Sequence, residues 1–388
     1  AGPVVLVSGL VLAEAGIAGT LVESAPALNQ DLRASTFHPP TLDMLAELGL
    51  TDALVAQGLV ARYTQQRDRH EGVIAEFDLS LLAGLTQHPF RLQCEQWKLT
   101  ELIHQRLSQL DHVCFHFSAK VQIVTQSDER VEMHVEQNGE TIKLRGDYLI
   151  GADGAWSQVR AELGVAFEGF TYPERFLVVS TPFEFADHMP GLSYVNYCSD
   201  PHEWCVLLRV PTLWRVLFPT AADASDTDVM TDAYIQSRLQ HLLANATDYE
   251  VNHRTLYKVH QRVAQSFGVG RVFLAGDAAH INNPLGGMGM NGGIHDAMNL
   301  TRKLLGVLMH GEPPNTLDRY ERQRRPIAIE YINANTARNK KQLEEQDPVQ
   351  RQKNQDEWRA IASDKQRSLA YLKKSSMIDA LEKSEALA

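Results

Sequence analysis

Gly270-Arg271-Val272-Phe273-Leu274-Ala275-Gly276-Asp277-Ala278-Ala279-His280-Ile281-Asn282-Asn283-Pro284-Leu285-Gly286-Gly287-Met288-Gly289-Met290-Asn291 is the stretch on which the reading of this chain turns. A short apolar strand, Val272 to Ala275, is predicted to run into Gly276-Asp277, then a glycine-rich loop, then a helix continuing through Leu300 and Leu304. A carboxylate held at a strand end can accept hydrogen bonds from the hydroxyls of a polyol. Loop glycines let backbone N–H groups approach a flat ligand that any Cβ would push away. The helix that follows turns its partial positive end towards the loop, a field that favours an anionic ring. Such a site suits a ligand with a sugar-like chain and a planar ring. Gly-Asp alone would be an ordinary turn; Pro284, three further glycines and Asn291 in one run make that reading insufficient.

A reduced flavin is such a ring, and the segment resembles the second flavin-binding motif of the FAD-dependent aromatic hydroxylases, the class A flavoprotein monooxygenases of p-hydroxybenzoate hydroxylase type. The resemblance implies that Asp277 holds the ribityl chain. It also implies that the loop from Pro284 through Gly286, Gly287, Gly289, Met290 and Asn291 lies along the isoalloxazine, with Pro284 shaping the oxygen pocket. His280 falls in the common turn of that motif, where a structural role is expected.

Near the start of the chain, a helical pattern through Leu6, Leu10 and Ala13 closes at Gly16, and Gly19 to Val22 reads as a strand ending at Glu23. A dinucleotide fingerprint has the order strand, glycine turn, helix, strand, acid, the acid lying ~20 residues beyond the glycines. Gly2, Pro3 and Val4 stand in the turn, and Glu23 where an adenosine-ribose ligand belongs. The first strand and first glycine would precede Ala1, and Val5 occupies the position of the third glycine, where it should push the helix slightly outward. Two readings stay open: the motif begins upstream of Ala1, or the pyrophosphate site is weakened.

Arg33 and the pair His38-Pro39 match positions that the same family carries, so the resemblance makes Arg33 a contact to the FAD backbone; a surface ion pair is the competing reading. A helix is expected from Thr41, as its cap, to Gly49. Gln96 matches a glutamine used against the flavin. Strands are expected at 113–117, 120–125, 131–137 and 141–144 as an antiparallel excursion, with Asn138-Gly139 as a type I′ turn. Then Leu149-Ile150-Gly151-Ala152-Asp153-Gly154 stops a strand abruptly before a helix near Ser157. This resembles the Asp-Gly motif of class A hydroxylases, associated with FAD and NADPH, Trp156 standing where arginine is commoner. Asp153 capping the helix would be compatible with that role.

The 388 residues allow two domains, 44% hydrophobic content supports a large core, and no run of ~18 apolar residues or basic apolar leader is present. A formal net charge of −11 argues against nucleic acid and anionic membrane as partners. Cys94, Cys114, Cys198 and Cys205 form no metal spacing and are expected as reduced thiols in a cytoplasmic protein.

The fold expected is α/β: a discontinuous Rossmann-like FAD-binding domain (1–65, 90–165, 264–335), an inserted α+β substrate domain (66–89, 166–263) and C-terminal helices (336–388). Aromatics at Tyr194, Tyr197, Trp204, Trp214 and Phe218 lie on segments read as sheet. That sheet could roof an aromatic pocket, with Tyr194, Arg209 or Arg215 available to a substrate; core aromatics and outward, solvated arginines are the plainer reading. Two amphipathic helices are expected in 339–388, lying on the flavin domain or on a second subunit of a homodimer. No second dinucleotide fingerprint is found, so NAD(P)H would visit transiently. By resemblance, the reaction is reduction of FAD by NAD(P)H, addition of O2 to give a flavin C4a-hydroperoxide, and oxygen transfer to a phenol or aromatic acid. No metal site is expected. A reductase on the same scaffold and an FAD-deficient homologue are the alternatives.

Overall fold

A computed structural model describes the backbone of all 388 residues and the side chains of all but 331–333 and 335. The chain begins with the helix Pro3–Glu14, opened by proline at its first position, whose missing N–H costs nothing there. It packs on the long helix Met288–His310, on the helix Gln96–Leu107 and on the strand Gly19–Val22. Leu6, Val7, Leu10, Leu99, Ile103 and Ile294 are buried where these elements meet.

Apart from an isolated bridge between Ala83 and Thr86, parallel pairing is confined to two short strand pairs and one junction inside the large sheet. Gly19–Val22 pairs with Val113–His116, and Leu149–Gly151 pairs with Val272–Leu274. The first pairing corrects one expectation: Val113–His116 lies beside the opening strand, while only Ala119–Gln126, Val131–Gln137 and Glu140–Gly146 form the antiparallel meander. Asn138 and Gly139 both take positive φ (55° and 81°), the geometry of the type I′ turn.

An eight-stranded sheet forms the other half of the molecule. Its central strands are Phe167–Thr181, Trp214–Pro219, Cys205–Arg209 and Val195–Ser199. Tyr63–Asp68 and Gly72–Asp78, which overlap the stretch 66–89 expected in the substrate domain, complete one edge. One face is covered by the helix Asp232–Leu242 and buries Leu177, Val179, Leu207, Trp214, Val216 and Phe218. The other face buries Phe176, Val195, Tyr197, Trp204 and Val206 together with Leu285 of the glycine-rich loop. That second cluster seats the sheet on the loop.

Two helix boundaries differ from the sequence reading. The helix expected from Thr41 is Pro39–Glu47, preceded by His38, because proline is favoured at a first helical position; Thr41 lies inside it and bonds His295. Beyond 339 there are more than two helices: after Ala334–Leu343 come Pro348–Ser363, Lys365–Ser375 and Ile378–Ala386. Asp364 accepts from the Gln366 and Arg367 amides and breaks the apolar run Trp358, Ile361, Leu369, Leu372 into two helices. These residues pack on Phe77, Leu79 and Leu82 of the same chain, so the segment covers the sheet edge.

Candidate active site

The strands that carry Asp153 and Asp277 lie side by side in register, Gly151 opposite Leu274, and the Ala275 N–H donates to Gly151 O at 3.0 Å. Both aspartates leave their strand ends with the side chain open to solvent. Two distant turns therefore converge on one edge. Arg160 joins them: one guanidinium nitrogen donates to Ala278 O (2.7 Å), the other to Ala155 O (2.8 Å), and the group stacks 3.8 Å from the Phe167 ring centre. Asp153 also accepts from the Ser157 hydroxyl and the Val159 N–H, so it caps the next helix with the same carboxylate.

Asp277 is reachable by solvent yet crowded by protein, and this desolvation raises its carboxyl above the ordinary range. His280 and Arg33 pull it down, and Asp296 adds to the rise. The exposed Arg33 side chain lies 3.7 Å from Asp31 in a surface ion pair, the competing reading of that residue, and its charge still acts on Asp277. Gln96 opens its helix beside the same segment, its N–H bonded to Ala34 O at 3.0 Å.

The N-terminus of the helix Pro3–Glu14 meets the same turn. Val4 is close enough that a Cβ on Gly276 would lie 2.8 Å from Val4 Cγ2, and one on Gly293 would lie 2.7 Å from it. Val4 is thus a packing residue, and it brings the free amides of the first helical turn next to Asp277. Glu23 lies 2.7 Å from the Ala1 nitrogen and accepts from the Ala25 N–H. Val5 packs half-buried against the core of this helix.

The glycine-rich loop is shorter than read from sequence. Gly286 (φ 109°) and Gly287 (φ 67°) are loop residues and Pro284 is exposed on it. Gly289, Met290 and Asn291 already belong to the helix Met288–His310. Its first-turn N–H groups, without partners inside the helix, therefore supply the positive end. The Asn291 side chain is buried and committed to the protein: it donates to Thr36 O and Gly287 O and accepts from the His38 N–H. His38 is buried and donates from Nε2 to Gly286 O at 2.8 Å, and burial and Arg91 hold its pKa well below the usual range.

Asp296, eight residues into the loop helix and fully buried, accepts from the Gly276 N–H (3.1 Å), His280 Nε2 (2.7 Å) and Arg324 Nε (2.7 Å). His280 is accordingly a brace beneath the aspartate turn. Sequence reasoning assigned no role to Asp296, Arg324, Arg160 or Thr36. The usable signal was a carboxylate and an arginine at core positions of two helices, where a charge must be paired.

The candidate substrate residues divide. Arg215 is buried and donates to Ser35 Oγ (2.9 Å) and Leu32 O (2.6 Å), tying the large sheet to the segment that carries Arg33. It is not a solvated outward arginine. Arg209 alternates to the opposite face from Leu208 and Leu285, where it pairs with Glu184 at 3.0 Å, and Tyr194 is exposed at the strand start beside it. Neither is brought to the loop. Beside the loop, Gln66, Tyr197, Asn339, Leu343, Gln355 and Trp358 are among the residues around a cavity of about 30 Å³. A Cβ on Gly286 would lie 3.4 Å from Asn339 Nδ2, which sets this cavity against the loop.

These residues fit an extended dinucleotide carrying a flat ring. Two helix N-termini and two solvent-facing carboxylates share one edge, and Gly276 and Gly287 take positive φ there, where a Cβ would collide with Val4 and crowd Thr36. Among the described residues no group of His, Cys, Asp or Glu could hold a metal ion, and no helix is long and apolar enough to cross a membrane.

Comparison with known proteins agrees with this geometry. A family model described as "FAD binding domain" matches residues 1–335. Para-nitrophenol 4-monooxygenase of Pseudomonas sp. (strain WBC-3) is 35% identical over 355 residues, covering 90% of this chain and 87% of that protein. The 6-hydroxy-3-succinoylpyridine 3-monooxygenase HspB of Pseudomonas putida is 33% identical over 350 residues, covering 89% and 88%. The crystal structure of p-nitrophenol 4-monooxygenase PnpA from Pseudomonas putida DLL-E4 superposes with a TM-score of 0.92 at 31% identity, over 99% of this chain and 96% of that one. The flavin-dependent monooxygenase PieE, solved with FAD and substrate, shares the fold at 22% identity and a TM-score of 0.79, over 99% of this chain and 70% of that one. The chain belongs to the FAD binding domain family, among the FAD-dependent aromatic monooxygenases.

Proposed function

We propose that this protein hydroxylates a small phenolic or hydroxy-heteroaromatic ring, with NAD(P)H as electron donor and O2 as the source of the oxygen. The observation that carries the reading is the convergence of the Asp153 and Asp277 turns, clamped by Arg160, on the edge where two helix N-termini open. The similarity to enzymes named for nitrophenol and a hydroxypyridine supports that substrate class. Bound FAD would supply the hydride acceptance and oxygen activation.

The chain's own residues have four tasks. Asp277 holds the polyol part, and the amides at the head of Pro3–Glu14, with the charge of Arg33, neutralise the phosphates. Glu23 sits at the adenosine end. The unpaired N–H groups that open Met288–His310 stabilise negative charge on the reduced ring without reorganising. The sheet face bearing Tyr197 and the helices from Ala334 onward keep water from the reacting centre. The cavity beside Gly286 is about 30 Å³, room for roughly one water. A cytoplasmic location and a homodimer belong to this proposal as well, the dimer to be read from sedimentation.

The test is turnover by FAD-loaded protein. NAD(P)H oxidation should accelerate when 4-nitrophenol or a hydroxypyridine is added, and product formed under ¹⁸O2 should carry one heavy oxygen. A yellow protein whose NAD(P)H oxidation ignores every phenol, or whose product lacks the label, would point to the reductase alternative. A chain that stays colourless after FAD is supplied would overturn both.

A further inference from the structure

A second cavity, of about 240 Å³, opens between the helices Met288–His310, Asp318–Ile327 and Ile378–Ala386. It shares with the FAD site only Arg324, the brace of Asp296. Its lining includes His295, Arg302, Lys303, Arg319, Arg324 and Glu385. Arg302 is paired with Glu47 and Arg324 with Asp296. Arg319 makes no hydrogen bond or ion pair among the described residues. Lys303 Nζ is bonded only within its own helix, to Asn299 O and Oδ1. In a chain of net charge −11, this places two cations without a bonded carboxylate at one hollow, faced by the single exposed carboxylate of Glu385.

His295 provides an independent observation. It is buried, its Nε2 lies 3.0 Å from the Thr41 hydroxyl, and its Nδ1 has no partner. When Thr41 donates to Nε2, Nδ1 carries the ring proton as a free donor. Burial pushes the imidazole down to about 3, so it serves as a neutral donor. A buried polar atom without a partner is costly unless something meets it.

We propose that this cavity binds a phosphoryl anion, either free phosphate or the phosphate end of a nucleotide. The guanidinium of Arg319 can take two oxygens, Lys303 gives a point charge and His295 Nδ1–H a directed bond, a donor set that suits a tetrahedral dianion. The volume is several times that of a water and leaves space for an attached organic group. Lys303 supports the reading: burial and then Arg319, Arg324 and Arg302 push its ammonium down to about 8, with Glu312 opposing, so an anion would relieve crowded positive charge.

The experiment is a calorimetric titration of FAD-loaded full-length protein with inorganic phosphate and, separately, with adenosine 2′,5′-bisphosphate, in wild type and in an Arg319→Gln/Lys303→Gln double variant. Wild type should show saturable binding that weakens about tenfold or more in the variant while the flavin absorption spectrum stays the same. Equal affinity for the two probes identifies free phosphate; tighter binding of the bisphosphate identifies a nucleotide. Absence of saturable binding, or unchanged affinity in the variant, overturns the proposal. A second readout needs no variant. With a lysine-acylating reagent near pH 8, Lys303 should react readily and phosphate should protect it, as found by peptide mass spectrometry; labelling indifferent to phosphate counts equally against the site.

Discussion

Arg160 reaches from the turn of Asp153 to the turn of Asp277, its Nη1 lying 2.7 Å from Ala278 O, so one buried guanidinium fixes the spacing of both aspartates. Two parallel strands alone would set their order, but the angle between the turns depends on this clamp.

Arg160→Lys should therefore loosen the cofactor site while the fold survives. A lysine cannot serve Ala278 O and Ala155 O together, and hydrogen bonds from a charged donor are worth about 1.5–3 kcal/mol. FAD affinity should fall by about tenfold or more, measured by recovery of free-flavin fluorescence. Unchanged affinity would show that the clamp does not position the carboxylates.

Asp296 makes stability depend on pH at the acid end. Burial alone would raise its carboxyl, but His280 and Arg324 hold it down to about 2. A depressed acid stabilises the fold above the unfolded pKa and loses that contribution as pH falls through the folded one, so the loss should run from about pH 4 to pH 2. The full contribution is about 2 kcal/mol. Denaturant unfolding across that window should show the decline, and Asp296→Asn should flatten it. The same variant leaves Arg324 buried without its counter-charge, a change that costs roughly 3–5 kcal/mol at neutral pH.

Gly293→Ala tests the close approach of the loop helix to the aspartate turn. The added methyl would sit 2.7 Å from Val4 Cγ2 and 3.1 Å from Gly276 Cα, and the second neighbour is backbone. Overpacking of this kind costs typically about 1–3 kcal/mol. The melting temperature should fall and FAD should be retained poorly on gel filtration.

The two arginines of the large sheet should behave differently. Arg215→Ala removes the ties to Ser35 and Leu32, so the segment bearing Arg33 loses its anchor, and both FAD affinity and stability should drop. Arg209→Ala, on the far face, breaks a partly exposed pair with Glu184 and should leave KM for the aromatic substrate within about twofold, since such pairs contribute little. Steady-state kinetics on the two variants separates them; a large KM effect at Arg209 would place the substrate on the other face.

The sequence by itself determined the local chemistry: Gly276-Asp277 ending a strand, Gly151-Ala152-Asp153-Gly154 ending another, the Asn138-Gly139 hairpin, and a long helix after the glycine loop. Each follows from neighbours in the chain, where turn residues and apolar periodicity act over a few positions. Tertiary structure decided which charges meet. Asp296 and Arg324 lie 28 residues apart and Arg160 and Ala278 118 apart, and nothing in either local pattern says that they share a core. The reading of Arg215 as solvated failed for the same reason: strand alternation assigns it a face, but only packing reveals that Leu32 and Ser35 cover it. A buried charge is tolerated where its partner arrives from another element. That arrival is a property of the assembled fold.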